Sequence, residues 1–576
     1  MSALPPITAS LMTALAATQA PPGSGPGTDA NIADVRILSI NDFHGQLTDS
    51  TSKVGDVEIG GAATLAAYVQ RERAGNPSGT VFVAAGDLVG AAQPESTLLQ
   101  HQSTIAVLDQ MGLDLTTFGN HEFDKGYAQA IRMIYGDGAL DAAEVRQGIA
   151  PPKKGRRRTG STSAVDAKAG AAHVAASKGR PAWPGTPFAW VNANVVDTKT
   201  GKPILPPFTI RVINGVKVGF IGATTADLKN VTVAKGIPNI KALDPVTAIN
   251  KYVPAMKAAG AKTIVVMIHE GGTPSKTDPQ DVSGPIVDIA KGLDPAVGAI
   301  ISGHSHAEYA TEIAGKQVVQ AGSYAKALAE VDLKIDRTTG TVVSGSSRLI
   351  RNDEHGIQPD AKVGAMVTMF HAAVAPRTEK VITDLKAPLT RAASPSGETL
   401  LGGVIADAQR DFAHADIGLM NPGGIRQDLG AVGRLTWGTV FGVQPFANRV
   451  MKVELTGAEV RATLEQQFEG PEPRILQVSG MTVHVDLTKP VGSRIASITM
   501  ADGSTIDPKR TYSVAANSFI ADGGDGFTVL KKGRKRRDVG VDLDALVRWL
   551  ATSKNLPTAT PGRIVLDAGA LPAGAH

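Results

Sequence analysis

The hexapeptide Gly119-Asn120-His121-Glu122-Phe123-Asp124 brings an amide, an imidazole and two carboxylates together directly after the apolar run Leu113 to Phe118. Four further clusters repeat that chemistry, each following an apolar run: Asp42-Phe43-His44, Gly86-Asp87, His269-Glu270-Gly271-Gly272 and Gly303-His304-Ser305-His306. A lone histidine after a strand is more often structural than a ligand. Here His44, His121, His269, His304 and His306, five of the chain's 12 histidines, stand in such clusters with Asp42, Asp87 and Asn120, and the group points to a metal centre. Oxygen and imidazole donors without thiolate suit a hydrolytic site for Zn²⁺, Mn²⁺ or a similar divalent ion. A carboxylate that bridges two such ions would hold them about 3.5–4 Å apart, the spacing at which a shared hydroxide can attack phosphorus in line.

Side chains so far apart in sequence need a common platform, and strand ends supply one: in open α/β folds, ligands lie beyond the carboxyl ends of the strands. The runs Val35 to Ile40, Thr80 to Ala84, Leu113 to Phe118, Phe188 to Asn192, Val216 to Ala223, Thr263 to Ile268 and Ala299 to Ser302 have the Val/Ile character of strands buried on both faces. Apolar spacing predicts helices over Gly60 to Ala74, Pro245 to Ala259, Asp360 to Glu379 and Leu400 to Ala413. The third, with Val363, Met366, Val367, Phe370 and Val374 as its inner side, reads as a connector.

A chain of 576 residues exceeds one ordinary domain. The expected division is an export-signal-like or disordered tail at 1–33, a catalytic domain at 34–355, the connector at 356–380, a second domain at 381–567 and a tail at 568–576. Within the first domain, 136–187 turns to Ala, Gly, Ser, Lys and Arg, the composition of a mobile insertion. The net charge of +4 is small, and its basic excess sits in two runs, Lys153 to Arg158 and Lys531 to Arg537, read as solvated loops. No nucleic-acid polymer is implied as partner. The absence of cysteine excludes disulfides, thiolate ligands and a cysteine nucleophile. After residue 20 no apolar run approaches the roughly 20 residues that span a bilayer.

The series D-x-H, G-D, G-N-H-E, H-E and G-H-S-H closely resembles, in identity and order, the calcineurin-like metallophosphoesterases. That resemblance implies a four-layer α/β sandwich with helices outside, and a pair of divalent ions. By position, Asp42, His44 and His306 would hold the first ion, Asp87 would bridge, and Asn120, His269 and His304 would hold the second. His121 would contact the phosphoryl oxygen or leaving group, with Asp124 orienting it. The alternative for Asp124 is a helix N-cap. Glu122 and Glu270 read as supporting or structural.

The second half resembles the 5′-nucleotidase and UDP-sugar hydrolase family, over about Val35 to Val565. It implies a smaller α+β domain that binds the nucleotide. Phe446 and Phe519 would sandwich the base, Arg426 would hold phosphate, Asn421 would contact the nucleoside and Asp525 would accept from ribose hydroxyls, all on Gly-rich loops. Stacking and guanidinium suit those tasks. Ordinary core aromatics and a salt-bridging arginine are the plainer alternatives. Some members carry Gln where His306 stands, Gly-Asn is common at Gly402-Gly403, and Arg391 matches the usual second arginine poorly.

The resulting expectation is a periplasmic or secreted two-metal hydrolase of 5′-nucleotides, UDP-sugars or 2′,3′-cyclic nucleotides. Its rivals are a thiosulfohydrolase-type enzyme and a non-catalytic nucleotide-binding surface protein on the same scaffold.

Overall fold

Ile37, Val83 and Leu115 from one sheet meet Phe220, Val265, Ile301 and Val319 from another in a single apolar layer. Each such side chain contributes about 1.5–3 kcal/mol when taken out of water, so strands apolar on both faces are forced into the middle of the molecule. The computed structural model describes residues 31–571, apart from 50–52, 55–56, 138–182, 234–235, 354–355, 431, 471–472, 554–555 and 561.

The first sheet runs, edge to edge, Val342–Arg351, Ala327–Asp336, Ile32–Ile40, Thr80–Ala84, Leu115–Thr116 and Ala189–Trp190. The second runs Glu308–Ile313, Lys316–Ala321, Val297–Ile301, Thr263–His269, Val216–Thr224 and Phe208–Ile213. Ile32–Ile40 and its three successors are parallel, as are Lys316–Ala321, Val297–Ile301, Thr263–His269 and Val216–Thr224, while the remaining strands are antiparallel additions. Helices cover both outer faces, the first with Leu65, Val69 and Ile105 and the second with Ile249, Met256 and Ile289. The four expected layers are present.

A helix at Ala361–Thr378 leads into the second part. It starts where the Asp360 carboxylate accepts the Val363 N–H at 2.8 Å, and it buries Val363, Met366, Phe370 and Val374. Beyond it a five-stranded sheet orders Gln477–Ser479, Ile417–Met420, Thr511–Asn517, Arg449–Thr456 and Arg534–Val541, with Leu400–Ala413 packed on it, and three more strands pair beside it. Among the described residues no helix is long and apolar enough to cross a membrane.

Several expectations change. Leu113 to Phe118 and Phe188 to Asn192 keep only Leu115–Thr116 and Ala189–Trp190 as strand. The helix over Pro245 to Ala259 breaks into Pro245–Asn250 and Val253–Ala258, because Pro254 has no N–H to give the preceding turn. Arg534 to Arg537, expected in a solvated loop, open the edge strand Arg534–Val541. There Glu459, Glu454 and Asp522 neutralise Arg534, Lys535 and Arg536, and charged side chains on an edge discourage further strand pairing. The basic run at 153–158, most of the insertion 136–187 and nearly all of the tail 1–33 lie outside the described residues.

One buried side chain ties this frame together. The Asn352 amide donates to the carbonyls of Gly60, Gly61 and Ala325 at 2.7, 3.2 and 2.8 Å. Asn352→Ala leaves those acceptors in apolar surroundings, at roughly 1–3 kcal/mol each before relaxation. The urea midpoint should fall by the equivalent of about 2–4 kcal/mol; an unchanged midpoint would show that the clamp contributes nothing.

Candidate active site

Every expected ligand lies at or just past the carboxyl end of a parallel strand. To turn there, Asp42, His44, Asp87, His304 and His306 all adopt left-handed backbone, with φ of 47, 47, 50, 74 and 58°. Such angles cost energy in most residues and least in Asn, Asp and His, and they gather where function requires them. The turns brace one another: the amides of Asp42 and His44 donate to the carbonyls of Gly86 and Asp87 at 3.2 and 3.0 Å. A Cβ on Gly119 would collide with the Asp87 carboxylate, which explains the glycine before Asn120. Glu122 is fully engaged beneath them, accepting from the amides of Asp87, Leu88 and Gly119 at 3.0, 2.8 and 2.6 Å.

The donor atoms converge. Those of Asp42, His44 and His306 lie within 4.8 Å of one another, as do those of Asp42, Asp87 and His269, and of His44, Asp87 and His121. Asn120 Oδ1 is 3.1 Å from His269 Nε2, and the His304 ring stands edge-on to His269 at 5.1 Å. Asp42 is thus shared by two groups as Asp87 is, a sharing that reasoning from the sequence assigned to Asp87 alone.

Charge argues that this set fits cations. Burial drives His44 well below its usual pKa, against the pull of Asp87. Its Nδ1 lies 2.9 Å from the Gly90 carbonyl, which can only accept, so Nε2 carries the lone pair. That lone pair faces His306 Nε2 at 3.3 Å and carboxylate oxygens of Asp87 and Asp42 at 3.8 and 4.0 Å. A lone pair and two carboxylates converging on one point call for a positive charge between them. Burial likewise lowers His304 to about 3, and lowers His306. His269 differs. Burial opposes its charge, but Asp87 and Asp42 outweigh that and raise it to about 10, which favours a proton on Nε2, 3.0 Å from Asp87 Oδ2. A divalent ion would take the place of that proton. Asp42, His44, His306, Asp87, His269, Asn120 and His304 could hold one or more such ions.

His121 Nδ1 meets the Asp124 carboxylate at 2.9 and 3.0 Å. Burial disfavours its protonated form, Asp124 and Asp87 favour it, and the balance raises its pKa. Asp124 is not an N-cap, since the next helix, Tyr127–Tyr135, begins after Gly126.

The second part reaches into this cluster. Arg426 lies among the imidazoles, its Nε donating to the Tyr324 hydroxyl at 3.0 Å, and its buried Nη2 has no hydrogen-bond partner. Phe446 lies face to face with His121, ring centres 5.7 Å apart. Asn421 donates to Asp525 and accepts from Asn517, both at 2.7 Å, and the Asp525 amide donates to the Asn230 carbonyl across the divide at 3.1 Å. Phe519, expected on a loop, sits in the helical turn Ser518–Ala521, which Asn517 caps. Its ring covers Gly524, where a Cβ would meet it at 2.6 Å, and it makes no ring contact with Phe446. Arg391 is paired with Asp428 and donates to the Ile425 carbonyl, so it braces the loop of Arg426.

The family model of the 5′-nucleotidase C-terminal domain matches residues 375–532. The cell wall protein Lmo0130 of Listeria monocytogenes is 30% identical over 568 residues, covering 91% of this chain and 68% of that protein. The chain belongs to the 5′-nucleotidase family. Endonuclease YhcR of Bacillus subtilis is 32% identical over 497 residues, and the match spans 84% of this chain but only 37% of YhcR. In fold, the 5′-nucleotidase precursor of Thermus thermophilus is similar with a TM-score of 0.73 and 25% identity, over 93% of this chain and 99% of its own.

Within this family frame, sequence reasoning misses Tyr324 and leaves Glu122 without a specific role. Glu122→Ala releases three amides that set the Asp87 and Gly119 turns, and supports of this kind typically change metal affinity 10- to 100-fold. Calorimetric Mn²⁺ titration should show a loss of that size, and affinity within twofold of the parent protein would refute the support role.

Proposed function

We propose that the chain is a metal-dependent phosphoric ester hydrolase that removes phosphate from 5′-nucleotides, acting outside the cytoplasm. The observation that carries the reading is Arg426 Nη2, a buried guanidinium nitrogen without a partner, set beside the cluster of imidazoles and carboxylates. Guanidinium is the preferred partner of a phosphoryl group, and here it faces donors that suit divalent ions. The resemblance of Lmo0130, a cell wall protein, supports the location.

Asp42, His44, His306, Asp87, Asn120, His269 and His304 would hold two ions, which would supply positive charge to the phosphoryl group and acidify water. Arg426 would bind the transferred phosphate and balance the charge that builds on it. His121, kept protonated by Asp124, would donate to the leaving oxygen. Phe446 and Phe519 would receive the base, and Asn421 and Asp525 the nucleoside. UDP-sugars and 2′,3′-cyclic nucleotides are the neighbouring substrate classes.

Phosphate release is measured with metal-stripped protein reloaded with Mn²⁺, Zn²⁺ or Co²⁺, against AMP, UDP-glucose, 2′,3′-cyclic AMP and p-nitrophenyl phosphate. AMP should turn over far faster than the nitrophenyl ester, and the reverse order would remove the nucleotide assignment. Asp87→Ala should abolish release. For Asp124→Asn the sign is fixed by chemistry: a raised pKa keeps the His121 donor charged below it and loses it above it. Removing the carboxylate lowers that pKa, so the alkaline limb of kcat should move to lower pH, with about a 10²-fold loss in rate. An unmoved limb would show that His121 is not the acid.

A further inference from the structure

Tyr324 stands where the two halves of the site meet. It follows the strand Lys316–Ala321, at a strand end like the expected ligands, and no role has been given to it. Its ring stacks on His44 at 4.9 Å and 28°, and stands edge-on to His306 at 5.8 Å. Its hydroxyl accepts the Arg426 Nε–H at 3.0 Å. The guanidinium lies between two rings, 5.9 Å from the centre of Tyr324 and 5.9 Å from that of Phe446.

The tyrosine itself cannot drift. Its amide donates to the Asp42 carbonyl at 2.8 Å, and Tyr324 and Ala325 hold consecutive left-handed angles of 53 and 57°. Asn41 fixes the Gly322 carbonyl at 2.6 Å and Asn352 fixes that of Ala325 at 2.8 Å. One rigid turn is therefore attached at its backbone to Asp42, at its ring to His44 and at its hydroxyl to the other half's arginine.

We propose that Tyr324 is the positioning residue of the phosphate site: its hydroxyl fixes Arg426 so that the open Nη2 edge faces the phosphoryl group held over the metal donors. A free arginine side chain loses much rotamer freedom on binding. Fixing Nε removes much of that freedom beforehand, with Nη1 donating to the Gly423 carbonyl at 3.4 Å and Nη2 left for the substrate. Because Nε belongs to one half and the hydroxyl to the other, the bond also sets the register in which the halves close. The inference rests on Arg426 as the phosphate donor.

The test uses the full-length metal-loaded protein and Tyr324→Phe, which keeps the ring on His44 and removes only the hydroxyl. Losing a hydrogen bond to a charged group should reduce kcat/KM for AMP about tenfold, and weaken binding of inorganic phosphate by a similar factor, with metal content unchanged. In an Arg426→Ala background the same change should have less than a twofold effect, since the hydroxyl then has no arginine to place. Equal losses in both backgrounds, or no loss in the first, would overturn the proposal. Calorimetric phosphate binding needs no turnover. A parent protein inactive on AMP would therefore sink the nucleotidase reading while the Tyr324 cycle still returned its own answer.

Discussion

Two carboxylates, Asp42 and Asp87, lie at 0 and 1% exposure with imidazoles on every side. Taking ionised carboxylates out of water is tolerated only where opposite charge and hydrogen bonds replace the water. The surroundings are organised to that end. Backbone amides of His304 and His121 point at the two carboxylates, at 2.9 and 2.8 Å, and Asn41 donates to Asp42 at 2.7 Å. The Ala85 and Gly90 carbonyls orient the rings of His269 and His44. Even so Asp87 and Asp42 raise the pKa of His269 against the effect of its burial, the direction expected of a pocket that favours cations.

That constraint explains which features could be read in the sequence. A buried parallel strand must be apolar on both faces, so Thr80–Ala84, Val216–Thr224 and Thr263–His269 stand out, and the polar residues that end them are conspicuous. The strands Ala327–Asp336 and Val342–Arg351 lack that signal because their partly exposed faces carry Arg348, Lys334 and several serines. The metal-type residues were legible by type. Tyr324 was not, although it ends a strand as the others do, because a phenol is no usual ligand and its importance lies in what it touches.

Contacts between the halves were equally hidden. Nothing local in Asn421-Pro422-Gly423-Gly424-Ile425-Arg426 announces that the arginine will lie beside His44, or that Phe446 will stack on His121. The turns supply reach, and the sheets beneath supply direction. Asn517 illustrates the economy of this arrangement: one amide caps the Phe519 turn and aligns Asn421, which in turn holds Asp525. The Phe519 and Asp525 side of the site is thus a chain of amide contacts, while the Arg426 side is governed by charge.

The cluster also carries a long memory of chain order. Asp42 and the His304 amide that meets it are 262 residues apart, and so are His44 and His306. Closing loops this long costs chain entropy before the contacts reward it, which makes such pairings slow. No early piece of the chain can present the full donor set, which comes together only when strands from both ends of the first part have paired. Any divalent ion that this set could hold would meet its complete donors only where folding finishes, so the metal supply there, more than the preference of any single ligand, would decide occupancy.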